Sequence, residues 1–175
     1  MKAYIFKGFH HSTQLPKIHF GNCLSIVATV RFDRNCAASV GNDVDQQDWS
    51  KLFGISFGFD RHRDSARWGW RYNPSKGLYE FSYYGYRDKI RYYAEEPGFS
   101  CVLDDEVVLG ITINNRNSQI LEPSVSYFHP NGEITKPYHA AALNRCGYYQ
   151  NFYHGGNKKA PQLMSAKISR KIILI

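Results

Sequence analysis

The sequence predicts an all-β protein in which two antiparallel sheets pack face to face as a jelly-roll sandwich, with few or no helices. Three observations carry this expectation. Segments in which apolar and polar residues alternate with period two recur along the chain, separated by Gly, Pro, Asn and Asp turn signals. Aromatic residues are in excess: 13 Tyr, 11 Phe and 3 Trp make up 15% of the chain, and such side chains suit a half-buried pleated surface. Only two stretches, 40–49 and 138–145, suggest helical turns. With 175 residues, 43% of them hydrophobic and 21% charged, the chain has the size and composition of one domain with a substantial core, 1–175, opening on an extended segment 1–20.

Each element follows from its local pattern. Residues 25–32 (Ser-Ile-Val-Ala-Thr-Val-Arg-Phe) are rich in β-branched side chains and read as a strand. In 51–59, Phe53, Ile55, Phe57 and Phe59 alternate with Gly54, Ser56 and Gly58, and the glycine side suggests close approach by a backbone or ligand. Residues 67–72 place Trp68, Trp70 and Tyr72 on one face and Arg67, Gly69 and Arg71 on the other. The turn Asn73-Pro74-Ser75-Lys76-Gly77 leads into the Tyr-rich strand 78–86, which predicts a hairpin. A short strand follows over 89–93, and 106–114 points Val107, Leu109, Ile111 and Ile113 inward. Residues 124–128 and 133–135 flank His129-Pro130-Asn131-Gly132, whose Asn-Gly pair marks another hairpin. Strands over 147–153 and 165–175 complete the set. The last ends Ile172-Ile173-Leu174-Ile175, too apolar for a bare edge, so it is expected inside a sheet. The predicted core is Ile26, Val30, Phe53, Ile55, Phe57, Trp70, Leu109, Ile111 and Ile113.

The net charge is +7, which permits contact with an acidic protein surface or an anionic polysaccharide. The charge is scattered, with no basic tail, so nucleic acid is an unfavoured partner. Four cysteines, Cys23, Cys36, Cys101 and Cys146, form no C-x-x-C pair and no zinc-finger spacing with His. They read as free buried thiols. No secretory leader and no membrane-spanning run is visible, so a cytoplasm, or a particle assembled in one, is the expected location.

The chemistry-bearing motifs are mostly negative. No His pairs with Glu at metalloprotease spacing. Asp43, Asp45 and Asp48 lack the glycine and terminal glutamate of an EF-hand, leaving a looser loop-bound Ca²⁺ as the sole candidate cofactor. Gly155-Gly156-Asn157-Lys158-Lys159-Ala160-Pro161 has no phosphate-loop ending and reads as a turn built on positive-φ glycines. A glycosidase needs two facing carboxylates, and neither Asp104-Asp105-Glu106, Glu80 nor Glu95-Glu96 matches such a pattern. A polysaccharide lyase needs Tyr or His and Arg or Gln around a uronate; these residues abound without recognisable spacing. Trp68, Trp70 and Tyr72 read as core in preference to a sugar-stacking platform. On the opposite face Arg67 and Arg71 lie beside Glu80. The candidate binding surface, for glycan or protein, is Arg67, Arg71, Tyr79, Tyr83, Tyr86 and Arg87.

Two stretches support a resemblance. Ser65-Ala66-Arg67-Trp68-Gly69-Trp70-Arg71-Tyr72-Asn73 with the Tyr-rich strand after it, and 153–161 leading into the last strand, resemble concanavalin A-like jelly-roll proteins of gut bacteria and their tailed, crAss-like phages. The resemblance spans residue 52 to the C-terminus. It implies a sandwich fold and, for some phage members, an auxiliary or decoration role on the capsid. The combined expectation is a non-enzymatic virion module whose partner is a capsid protein, with segments 1–20 and 168–175 adding strands to a neighbour. A lectin-like glycan binder is the first alternative and a polysaccharide-degrading enzyme the second.

Overall fold

The computed structural model describes residues 2–15, 17–20, 23–37, 46–114, 124–137, 146–155 and 158–174. Among the described residues thirteen strands form two antiparallel sheets. They are β1 (Lys2–Ile5), β2 (Lys17–Phe20), β3 (Cys23–Phe32), β4 (Ser50–Ser56), β5 (Ser65–Asn73), β6 (Leu78–Arg87), β7 (Ile90–Tyr93), β8 (Phe99–Cys101), β9 (Val107–Asn114), β10 (Ser124–His129), β11 (Gly132–Pro137), β12 (Cys146–Gln150) and β13 (Met164–Leu174). One sheet has the order β1-β13-β3-β9-β10-β11; the other runs β2-β12-β4-β5-β6-β7, with β8 also paired to β6. A single 3-10 turn, Arg34–Cys36, is the only named helical element among the described residues. The all-β jelly-roll sandwich expected from the alternation is therefore the observed fold.

Alternation decides what is buried. In the β3–β9 pairing Ile26 faces Ile111, Ala28 faces Leu109 and Val30 faces Val107, all buried. Opposite them stand Trp68, Trp70, Tyr79 and Phe81 of the second sheet. Phe32 packs on the rings of Trp70 and Tyr79 at 4.6 Å each. The Trp68 indole N–H donates to Gly110 O across the interface at 2.9 Å, so the indole is buried without an unmet donor. Every residue of the predicted core is buried. Apolar area removed from water on this scale, at roughly 25 cal/mol per Å², is what offsets chain entropy.

Three local expectations change. Phe59 is exposed, because β4 ends at Ser56 and Gly58 takes φ 116°, which breaks the alternation. The terminal segments divide: β13 is paired on both sides, by β1 and β3, and offers no edge, whereas β1 and β2 are the edge strands of the two sheets. Interior placement of β13 is as its apolar end predicts. Gly155 has no positive φ; it is a close-approach glycine, since a Cβ there would meet Ser50 Cα at 2.9 Å and Lys51 Nζ at 3.0 Å. Cys36 and Cys101 are free and buried. The helix candidate 138–145, Gly156, Asn157, and Asp43 with Asp45 lie outside the described residues, as do the side chains of Cys23 and Cys146. Among the described residues no helix is long and apolar enough to cross a membrane.

Candidate active site

The register of the second sheet lines up one row of residues across five strands on its outer face. Gln150 of β12, Gly54 of β4, Arg67 of β5, Tyr84 of β6 and Tyr93 of β7 are successive cross-strand partners. Ser65, Tyr86 and Arg91 form the row on one side, and Lys51, Gly69 and Ser82 the row on the other. The missing side chain at Gly54 is what lets Arg67 lie down: a Cβ there would meet Arg67 Cα at 2.7 Å and Arg67 Cγ at 2.9 Å.

Two segments raise walls around this row. The N-terminal stretch is tied down by Ser12 N–H donating to Phe152 O, His154 N–H to His10 O and Asn151 Nδ2 to Gln14 O. The β4–β5 loop is anchored by Ser65 Oγ donating to Arg61 O and Asp88 N–H to the buried Asp64 carboxylate. Between the walls lies a cleft of about 250 Å³, lined by Arg67, Lys51, Tyr86, Tyr148, Gln150 and His11 among others. A second, wider chamber of about 670 Å³ adjoins it and shares Lys51, Tyr84 and Tyr153 with it. Together they make a groove with Lys51 at its middle.

The first half of the groove is cationic. Arg61, Arg67 and Lys51 line it with His11 and His62, and among the described residues no carboxylate does. Arg67 is only 3% exposed. Its guanidinium donates to Arg61 O at 2.5 Å and Ser65 Oγ at 3.0 Å, and it lies over the rings of Tyr84 and Tyr86 at 5.8 and 5.5 Å. Among the described residues no carboxylate forms an ion pair with it. Burial lowers its proton affinity, yet a guanidinium keeps its charge. An unpaired buried cation is costly. The buried side-chain atoms without a hydrogen-bond partner include Arg67 Nε, Gln150 Nε2 and Ser12 Oγ, all in this cleft. Unmet buried donors gathered in one cavity mark a place for an acceptor-rich ligand.

Lys51 is the second unusual group. Burial, then the nearby charge of Arg67, push its pKa from 10.5 down to about 8. Its ammonium donates to Trp49 O at 2.8 Å and sits 4.4 Å from the Tyr84 ring centre and 5.4 Å from that of Tyr153. Backbone bonds in both directions between Lys51 and Tyr153 fix the pair, and the Tyr153 ring packs against His11 at 4.9 Å. Burial raises the pKa of both Tyr84 and Tyr148, so their phenols stay protonated. His62 accepts from Arg61 Nε at 3.2 Å, and burial with the charges of Arg67 and Arg61 lowers its pKa, so the ring is neutral.

Of the residues singled out from sequence, the structure brings Arg67 and Tyr86 into this groove. Arg71 reaches only the second chamber, and its charge is taken: it donates to Glu80 at 2.7 Å and lies over Trp49 at 4.3 Å. Tyr79 is fully buried in the core, because it is the cross-strand partner of Tyr72 on the inward face. Tyr83 also points inward, opposite Trp68, and packs near Tyr127 at 5.9 Å. Arg87 lines a separate opening with Tyr83 and Lys136. The residues missed are Lys51, Tyr84, Gln150, Tyr148 and Tyr153. For Tyr84 the signal was present, since alternation from Tyr86 places it on the Arg67 face. Asp48 lines the second chamber, and among the described residues no cluster of His, Cys, Asp or Glu could hold a metal ion.

An open cationic groove on one face of a jelly-roll sandwich thus defines the architecture, and solved structures share that fold. The chain is similar to alginate lyase Aly36B, with a TM-score of 0.65 at 12% identity over 98% of this chain and 78% of that one. It is similar to a doubly substituted Aly36B in complex with alginate tetrasaccharide, with a TM-score of 0.62 at 13% identity over 99% and 80% of the two chains. Alginate lyase vAL-1 from Chlorella virus superposes with a TM-score of 0.57 at 13% identity over 99% and 84%. No family model and no curated protein sequence matches. These neighbours correct the expected function. The reading as a non-enzymatic capsid module is overturned by these solved structures, alginate lyases whose fold covers 98–99% of this chain. The resemblance stands for the sandwich, while neither phage or gut-bacterial origin nor a capsid partner finds support.

Proposed function

We propose that this protein is a polysaccharide lyase that cleaves a uronate-containing glycan by β-elimination. One observation carries the reading: Gln150 and a buried Arg67 without an ion-pair partner among the described residues flank Gly54 in a cleft with no described carboxylate, next to a lysine whose pKa is about 8. The fold neighbours support it. The tetrasaccharide complex of Aly36B carries alanine in place of a lysine and a tyrosine, the two residue types that meet here as Lys51 and Tyr153.

The chemistry explains why those groups are needed. Removing the C5 proton of a uronate places charge on a carbon beside an already anionic carboxylate, so that carboxylate must be neutralised first. Arg67, with its free Nε–H, and the Gln150 amide are the donors for it. Lys51 as free amine takes the C5 proton; a base with a pKa near ambient pH combines availability with strength. The C5–H electron pair forms the C4=C5 double bond as the C4–O4 bond breaks. Tyr153 donates its phenolic proton to the departing O4. Proton return from the Lys51 ammonium to the Tyr153 phenolate, through solvent, resets the site with no net change.

The test is ultraviolet absorbance of the unsaturated uronate on incubation with alginates, glucuronans and uronate-containing glycosaminoglycans. Product from the native chain, lost in Lys51→Met and Tyr153→Phe, is the expected result. No unsaturated product from any uronate polymer would refute the assignment.

A further inference from the structure

The two halves of the groove differ in charge, and the elimination chemistry gives that asymmetry a direction. On one side of Lys51 the lining charges are Arg61 and Arg67, with no carboxylate. On the other side the chamber is lined by Asp48, Glu95 and Glu96, with Arg71 and Arg91 as its further cations. Arg71 is already neutralised by the buried Glu80, and Arg91 lies over the Tyr93 ring at 5.0 Å. Among the described residues Asp48, Glu95 and Glu96 form no ion pair. The second chamber therefore sets three carboxylates against Lys51, Arg71 and Arg91, where the first half holds its cations with no described carboxylate opposed to them.

β-Elimination requires a uronate on one side of the scissile bond only. The sugar that loses its C5 proton needs its carboxylate neutralised, whereas the sugar that leaves with O4 needs no carboxylate. The unpaired donors of Arg67 and Gln150 fix the reacting uronate in the basic half. The leaving sugar must then lie beyond Lys51, in the chamber lined by Asp48, Glu95 and Glu96. Resting on the lyase reading above, we infer that the leaving-group side accepts a carboxylate-free sugar, so the substrate is a polymer in which uronate alternates with a neutral sugar, bound with its non-reducing side towards Glu95 and Glu96. Like charges a few ångströms apart oppose binding, and a partly enclosed groove screens them less than open water does. Tyr93 lines the same chamber and is 37% exposed, so it offers apolar contact surface that needs no charge.

Two probes decide it: a homopolymeric uronate tetrasaccharide (mannuronate only) and a hyaluronan tetrasaccharide, where glucuronate alternates with N-acetylglucosamine. Calorimetric binding is measured for the native chain and for Glu95→Gln/Glu96→Gln, whose exposed positions leave the fold and the catalytic groups untouched. The native chain is expected to bind the alternating tetrasaccharide roughly tenfold more tightly, about one factor of ten per 1.4 kcal/mol. The double variant should close most of that gap by gaining affinity for the homopolymer. Equal or stronger native binding of the homouronate, binding of neither, or a variant that leaves the ratio unchanged would overturn the inference. Failure of the lyase reading is seen separately, as binding with the expected preference but no unsaturated product from either polymer.

Discussion

Replacing Lys51 with methionine should stabilise the protein while abolishing turnover. The side chain is mostly buried, Arg67 is the largest charge acting on it, and its pKa falls from 10.5 to about 8. At about 1.4 kcal/mol per pH unit that drop is worth about 3 kcal/mol against the charged form. The contacts to the Tyr84 and Tyr153 rings and to Trp49 O return part of it, at about 0.5–1 kcal/mol apiece for such interactions. A net gain of up to about 2 kcal/mol for Lys51→Met follows, or a few degrees in Tm for a chain of this length. The sign is set by linkage. The unfolded amine holds its proton up to about pH 10.5 and the folded one releases it near 8. Native stability therefore carries the whole penalty below pH 8 and recovers it as pH rises towards 10.5. The advantage of Lys51→Met should be largest at neutral pH and vanish at strongly alkaline pH. Urea denaturation of both proteins at intervals from pH 6 to about 10.5 measures it. A variant less stable than the native chain at pH 7, with a difference that does not change with pH, would refute the burial argument.

Further expectations follow from the same geometry. As free base, Lys51 makes kcat/KM rise through pH 8, and a profile that falls across that range would remove it as the base. Arg67→Lys keeps a charge but loses the planar fork, so kcat/KM should drop by about 10²–10³ with the fold intact by circular dichroism. Tyr79→Ala should cost about 3–5 kcal/mol in a melt because the ring is fully buried, whereas Tyr86→Ala, at the groove, should change glycan binding more than stability. Glu80→Gln should destabilise by about 3 kcal/mol by orphaning Arg71 in a mostly buried pair. The Glu80 carboxyl is held below its ordinary value by Arg71 and Asn73 despite the opposing effect of burial, so its contribution is present at neutral pH and lost in acid; equal acid sensitivity of native and variant chains would count against that.

How far the site could be read from the residues depended on which geometric relation was needed. Alternation within one strand was enough to turn Trp68 and Trp70 inward and Arg67 outward. The face of Tyr79 and Tyr83 needed one relation more, the hairpin register. With Asn73 opposite Leu78, the turn between them sets Tyr79, Phe81 and Tyr83 against Tyr72, Trp70 and Trp68, and so inside the core. Grouping Tyr79 and Tyr83 with Tyr86 mixed the two faces of one strand.

What the sequence by itself determined was the sandwich, its core and the outward face of Arg67, because a period of two and the burial of apolar side chains are local rules. Only the tertiary structure decided the site. Gln150 lies beside Gly54 because β12, far along the chain, crosses over to pair with β4. Tyr153 meets Lys51 through backbone bonds after that crossover, and the N-terminal segment closes the wall by bonding to the same stretch. Strand order depends on which long-range pairings bury the most apolar surface together, and no local pattern encodes it. The lowered pKa of Lys51 has the same origin: a lysine between a serine and a leucine is unremarkable along the chain, and becomes a base only when Arg67, two tyrosine rings and a dry cleft are folded around it.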